Sequence, residues 1–384
     1  MSWNVCTYHS LFVSIIFSYG MQSINFVLSY FSICDNFTGL IEFIPAAIIG
    51  YLCWANSERQ LHAEGSVPKR LSIQVLSTTA LVLWSLRLGL FLLYRMRSRP
   101  AIDTRLGETK QRNVQSVCSI LKFWLIHGAW GVVCSLPVTL LNSKTLVATH
   151  TGHAASDKEI EDNLIDLKPV NDSLREYCTE SEITIMQYCA LIVWFLGFVI
   201  EALADHTKLN NYNKIFLEKE NCSNNNKYYN MNGHFLWRYS RNPNFFGECM
   251  CWLGLGLSAA MEFYPETDFT AILSFDVTNN ANLKFFLCWL SPLLTLGIML
   301  GEAVLLSEWK NNRRYRRNIY VEENSDYDAY KRCTSLLIPF PPEFYVKLPN
   351  TIRKIFFFDW DIYEKSRNPN TLIVITKDEH NKDK

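Results

Sequence analysis

Between Met1 and Cys34 there is no Asp, Glu, Lys or Arg, and a stretch that long without charge is rare in a water-soluble domain. It also lacks the basic flank and small-residue cleavage site of a removable signal peptide, so it reads as a membrane span. The 12 cysteines are scattered, with no C-x-x-C pair. Many sit inside apolar runs (Cys53, Cys118, Cys134, Cys189, Cys288), and the closest pair, Cys249 and Cys251, is separated by one residue. That pattern excludes a zinc site and a disulfide framework, and leaves thiols that pack as small apolar side chains. Formal net charge is zero, which gives no case for a nucleic-acid partner. There is no internal repeat, which argues against a transporter built on inverted repeats.

What is present is charge segregation: long apolar blocks alternate with wet ones, and Lys310–Arg317 is crowded with basic residues. A membrane helix needs about 20 mostly apolar residues. By that rule the sequence predicts about seven, at Ser10–Phe31, Phe37–Ala55, Leu71–Tyr94, Val117–Leu141, Ile183–Asp205, Phe245–Met261 and Phe285–Leu306. The expected class is an all-α integral membrane protein with a cytoplasmic C-terminal cap. Basic residues favour the cytoplasmic side, and with seven spans the basic loops after the third, fifth and seventh all fall there. The C-terminus is then cytoplasmic and the acidic segment Ser143–Glu182 lumenal. Of the glycosylation sequons, Asn171 would be accessible to the lumenal machinery, whereas Asn36 and Asn221 would not. The expected domain plan is residues 1–70 as N-terminal membrane helices, 71–342 as a catalytic membrane domain with a lumenal insertion at 143–182, and 343–384 as a polar tail.

An ionised side chain near the bilayer centre costs roughly 2.5–3.5 kcal/mol on insertion scales, so each one asks for a reason. The spans carry Glu42, Arg87, Lys122 with His127, Glu201 with Asp205, and Glu302. Interhelical hydrogen bonds and snorkelling are the ordinary reasons. In "GFVIEALADHTK", Glu201, Asp205 and Lys208 follow i, i+4, i+7 spacing and share a helix face. Carboxylates near a helix C-terminus oppose its dipole, so a basic neighbour, a hydroxyl or a cofactor must compensate.

The stretch "FLWRYSRNPNFFGE", Phe235–Glu248, sets polar chemistry at the start of an apolar run. Asn242 suits an N-cap and Pro243 the first helical position, so a helix is expected to begin there. Arg238 and Arg241 just ahead of its N–H groups outline a phosphate site, with Arg241, Asn244 and Glu248 on one face. A juxtamembrane anchor for anionic lipids would use the same residues, and composition does not separate the two. "GLGLSA", Gly254–Ala259, matches G-x-G-x-x-A but follows no strand, and reads as close helix packing.

Four blocks together resemble the steroid 5-alpha-reductase family in its broad sense. "LWSLRLGLFLLYR" with "IDTRL" looks like its Trp-x-x-Arg-Leu-Gly run and Asp-x-Arg. "GFVIEALADHTK" looks like its Gly-Phe-x-x-Glu-x-x-x-Asp-x-x-Lys, "LWRYSRNPNFFGE" is similar to its Arg-His-Pro-Asn-Tyr-Phe-Gly-Glu, and "DYDAYKRCTSLLIPFPP" resembles its closing Tyr-x-x-Tyr and Thr-Ser. The blocks run in order from about Leu81 to Pro342. The resemblance implies a seven-helix reductase of the endoplasmic reticulum. It would bind NADPH from the cytoplasmic side and reduce an activated carbon–carbon double bond in a lipid. It would give cofactor contacts to Arg105, Asp205, Lys208, Arg241, Asn244, Glu248 and Tyr330. The family's usual His is Asn242 here and its usual Tyr is Phe245, and Asn242 cannot titrate near neutral pH.

Reducing an enone needs an acid that hydrogen bonds the carbonyl. Glu42, in "LIEFIPA", falls where the family carries a buried acidic residue, and Tyr94 is the nearest phenol on the third span; these two are the catalytic expectations. An isoprenylcysteine methyltransferase-like enzyme using S-adenosylmethionine is the alternative, against which "LLSEWK" offers only Glu308 where a Glu-Glu pair is expected. A non-catalytic protein of the same fold is the other. Substrate and oligomeric state are not legible; steroid, sterol, polyprenol and enoyl chains all suit an apolar pocket with one polar end.

Overall fold

A computed structural model describes residues 12, 15–16, 18–20, 22–24, 69–98, 121, 124–126, 128–142, 170–221, 235–264, 280–308 and 330–364. Within them there is no strand, only a two-residue parallel bridge between Ser240 and Ser335. The helices are α1 (Lys69–Ser98), α2 (the apolar stretch Trp124–Asn142), α3 (Val170–Asn221), α4 (Pro243–Phe263) and α5 (Asn280–Ile298), the last continuing through a π-turn, Met299–Ala303, to residue 308. Three short helices follow: α6 (Pro342–Tyr345), α7 (Asn350–Phe356) and α8 (Asp361–Glu364).

Among the described residues four helices are long and apolar enough to cross a membrane: Ile73–Leu92, Trp124–Asn142, Ile183–Asn210 and Asn282–Glu308. These are the third, fourth, fifth and seventh expected spans. The sixth also forms a helix, α4, but with Glu248 and Glu262 inside it is not among the four. Only scattered helical residues between 12 and 24 represent the first, and the second lies outside the described residues. The chain divides into two compact units, one of residues 1–198 with 250–295 and one of 199–249 with 296–384.

The first unit is a helical bundle whose cores are built from bulky side chains meeting small ones. Trp84 of α1 packs edge-on against Trp252 of α4 at 4.7 Å and against Trp130 of α2 at 6.4 Å. Leu81, Val138, Trp194 and Leu255 join that core, while Ile73, Leu140, Phe263 and Cys288 form a second. Both glycines of "GLGLSA" sit where helices touch. A Cβ on Gly254 would lie 2.6 Å from the Ala190 carbonyl oxygen and the Trp194 nitrogen, and one on Gly256 2.9 Å from the Cys288 carbonyl oxygen. Close packing is thus their structural task, as small residues allow in membrane bundles.

Polar ties cross the same bundle. Asn142 Nδ2 donates to Thr78 Oγ1 at 3.0 Å, and Gln187 Nε2 donates to Glu262 Oε2 at 3.1 Å. Each buries donor and acceptor together, which removes the cost of leaving either unpaired in an apolar setting.

Candidate functional site

The second unit holds six of the residues that the sequence assigned to a cofactor: Asp205, Lys208, Arg241, Asn244, Glu248 and Tyr330. A helical pattern carries α3 past its apolar portion to Asn221, so Asp205 and Lys208 lie on continuous helix. Helix α4 starts at Pro243 as expected, and the Asn242 carbonyl accepts the Phe246 N–H at 3.2 Å. Asn242 is therefore the N-cap by backbone. Its side chain is used differently: Nδ2 donates to the Leu336 carbonyl at 3.1 Å instead of capping the helix.

That bond belongs to a zipper between residues 239–242 and 335–340. Arg241 N–H donates to Ser335 O at 2.9 Å, Phe340 N–H to Tyr239 O at 2.9 Å, and Ser240 Oγ to Leu337 O at 2.7 Å. The third and fourth sequence blocks, about 95 residues apart, are thereby laid side by side. Trp237 ties in two further expected residues. Its carbonyl accepts the Tyr330 hydroxyl at 2.6 Å, and its ring receives Lys208 Nζ at 4.9 Å from the centroid. Sequence reasoning did not single out Trp237; an aromatic residue four positions ahead of Arg241 in the same block was the available signal.

Arg241 is almost fully buried. One guanidinium nitrogen donates to Glu308 Oε2 at 3.1 Å and another to Asp359 Oδ1. The second oxygen of Asp359 accepts the Tyr345 hydroxyl at 2.8 Å. Burial, and then the neighbouring Asp359 carboxyl, pushes the Tyr345 hydroxyl above its ordinary range, so it stays protonated and serves as donor. Arg353 lies over the Tyr345 ring at 4.7 Å and donates to the carbonyls of Val346 and Leu348 at 2.6 and 3.1 Å. Residues 342–364, all but the first of which fall in the stretch 343–384 expected as a polar tail, thus form a folded module. Tyr345, Asp359 and Arg353 had no signal in sequence, because their partners are far apart along the chain.

Asp205, Glu201 and Glu248 are all buried, and so are the side-chain oxygens of Asn242 and Asn244, for which there is no hydrogen-bond partner among the described residues. Such orphaned acceptors are uncommon and ask for a donor. Elsewhere, Tyr94 is 54% exposed and belongs to the first unit, while Glu42 and Arg105 lie outside the described residues, as do Lys122, His127 and the side chain of Glu302. Arg87 places its guanidinium over Phe91 at 5.6 Å.

A model of the family described as protein of unknown function (DUF1295) matches residues 40–155 and 174–317, about two thirds of the chain. The chain belongs to the DUF1295 family. This is a family of membrane proteins related to the steroid 5-alpha-reductase and isoprenylcysteine methyltransferase-like superfamily. Neither a curated protein nor a solved structure matches the chain. The DUF1295 match takes in the blocks that hold Glu42, Tyr94, Asp205 and Arg241, and ends before Tyr330 and the module of residues 342–364.

Proposed function

We propose that this DUF1295 protein is an NADPH-dependent membrane oxidoreductase that reduces an activated carbon–carbon double bond of a lipid. Its polar site would face the cytoplasm, in the membrane of the endoplasmic reticulum. The observation that carries the reading is a pair of buried, unpartnered amide oxygens, those of Asn242 and Asn244, in the unit that also buries the carboxylates of Asp205 and Glu248. Two orphaned buried acceptors suit a ligand rich in hydroxyl and amide donors, and the ribosyl and carboxamide parts of a nicotinamide dinucleotide offer both.

The residues fit such a cofactor on those parts. Arg241 is less suited to a phosphate than its sequence context implies, since Glu308 and Asp359 already accept its hydrogen bonds. A cation suited to an anionic group is Lys208, held over the Trp237 ring. When bound, the cofactor would supply hydride. The chain's own residues would bind and orient: Lys208 would offer positive charge, Asp205, Glu248 and the amide oxygens of Asn242 and Asn244 would accept hydrogen bonds from its hydroxyl and amide groups, and the strap of residues 335–340 holds Asn242 in place. Polarising the substrate carbonyl falls to Glu42, with Tyr94 as the second choice.

The test is cofactor binding by the detergent-purified full chain, comparing NADPH, NADH and S-adenosylmethionine. Lys208→Ala should lose NADPH binding with no change in thermal midpoint. Binding of S-adenosylmethionine alone would move the reading to methyl transfer, and binding of none of the three would end it.

A further inference from the structure

Helix α7 is amphipathic in the wrong sense for water. Its apolar residues point out: Ile355 and Phe356 are each 62% exposed, Ile352 lies beside them on the same i, i+3, i+4 face, and no residue of the helix is buried. Its charged residues are held by neighbours, Arg353 by backbone carbonyls and the Tyr345 ring, Lys354 Nζ by Asp361 at 2.8 Å in a surface ion pair. Phe344 of α6, Trp360 just ahead of α8 and Ile362 within it are exposed as well. Seven consecutive helical residues arranged this way would be unstable against water, and contiguous exposed apolar surface signals a partner.

The place of this face on the molecule indicates which partner. Tyr363 OH donates to the carbonyl of Leu300 at 2.8 Å, at the π-turn of the apolar stretch Asn282–Glu308. Asp359 meets Arg241, which in turn meets Glu308 at the end of that stretch. Residues 359–363 therefore run beside positions 300–308, the last about 12 Å of a membrane-spanning helix at 1.5 Å per residue. That is the depth at which interfacial helices and Trp side chains reside. The indole N–H of Trp360 is already satisfied by the Lys354 carbonyl at 2.9 Å, so the ring can enter an apolar layer without an orphaned donor.

We propose that the module of residues 342–364 is a monotopic anchor, whose Phe344, Ile352, Ile355, Phe356, Trp360 and Ile362 insert into the acyl border of the membrane that the chain spans. Insertion is driven by apolar area, not by lipid charge. Of the basic groups near the face, Arg353 and Lys354 are engaged as above and Arg238 pairs with Glu343 at 2.7 Å, which leaves the exposed Lys347 as a single cation among six apolar side chains. Nothing in this depends on NADPH or on turnover.

The test places a benzophenone amino acid at position 356, and separately at 355, of the full chain in phosphatidylcholine nanodiscs, with position 293 as the control. Leu293 is exposed on the apolar stretch of α5. Irradiation and mass spectrometry should find lipid adducts at 355 and 356 in yields matching that at 293, unchanged when phosphatidylserine is added. Adducts to a second copy of the chain, loss of adducts at 355 and 356 while 293 reacts, or adducts that appear only with phosphatidylserine would each overturn the proposal.

Discussion

Replacing Arg241 by Met is the sharpest perturbation available in the second unit. The guanidinium side chain is 4% exposed, Glu308 is 1% exposed and Asp359 17%. Removing one member of a buried ion pair costs roughly 3–5 kcal/mol, because the remaining charge stays out of water without its partner. Glu308 is the member that suffers, being the more deeply buried; Asp359 keeps the Tyr345 hydroxyl. Arg241→Met should therefore fall in the upper part of that range. Asp359→Asn leaves Arg241 with Glu308 and an amide oxygen, and the loss of one charged hydrogen bond is about 1.5–3 kcal/mol. Denaturant unfolding of the full chain in detergent reads both. Limited proteolysis adds a local readout: Asp359→Asn should open cleavage between residues 346 and 358 before the helical bundle unfolds. A double-mutant cycle between the two sites should show coupling, since both changes act on one contact. If Arg241→Met unfolds within about 1 kcal/mol of the parent, Glu308 is solvated, and the reasoning from burial fails.

Three other outcomes are expected. Gly254→Ala forces a Cβ into the backbone of α3, where no flexible side chain can yield; overpacking of this kind costs roughly 1–3 kcal/mol, read as a lower thermal midpoint, and a neutral result would mean that the helices part easily. Tyr330→Phe removes the 2.6 Å bond to the Trp237 carbonyl and should cost about 0.5–1.5 kcal/mol, measured the same way, with faster amide exchange at 335–340. Burial first, and Glu308 second, raise the Tyr363 hydroxyl from the ordinary 10.0 to about 12. A pKa raised by folding stabilises the native state below pH 10 and loses that contribution as pH climbs toward 12; alkaline titration should release the module in the parent, and Tyr363→Phe should flatten that dependence.

Long apolar runs were legible because a bilayer demands them. The expected Leu71–Tyr94 lies within α1, and the expected start at Pro243 is where α4 begins. Proline after a capping residue is a local signal, and local signals survive without tertiary knowledge. The length of α3 was not legible: it runs from Val170 through polar residues at both ends, where no hydrophobic period marks it. Nor was the fate of Arg241. Sequence placed it beside a helix N-terminus and so near a phosphate, but its partners stand 67 and 118 residues away. Helices α6 to α8 have four to seven residues, too few for an apolar period to mark them, and their order comes from contacts with distant segments.

The zipper and the ion pairs impose an order on biosynthesis. Arg241 leaves the ribosome well before Ser335, Leu336 and Asp359, and the four apolar stretches long enough to insert among the described residues all precede those positions. A nascent chain can thus complete its insertion while Arg241 and Asn242 still lack their partners. A stop codon ahead of position 359 would yield a protein with its membrane helices in place and an ion pair half made, a lesion that surveillance at the membrane can sense although hydropathy cannot.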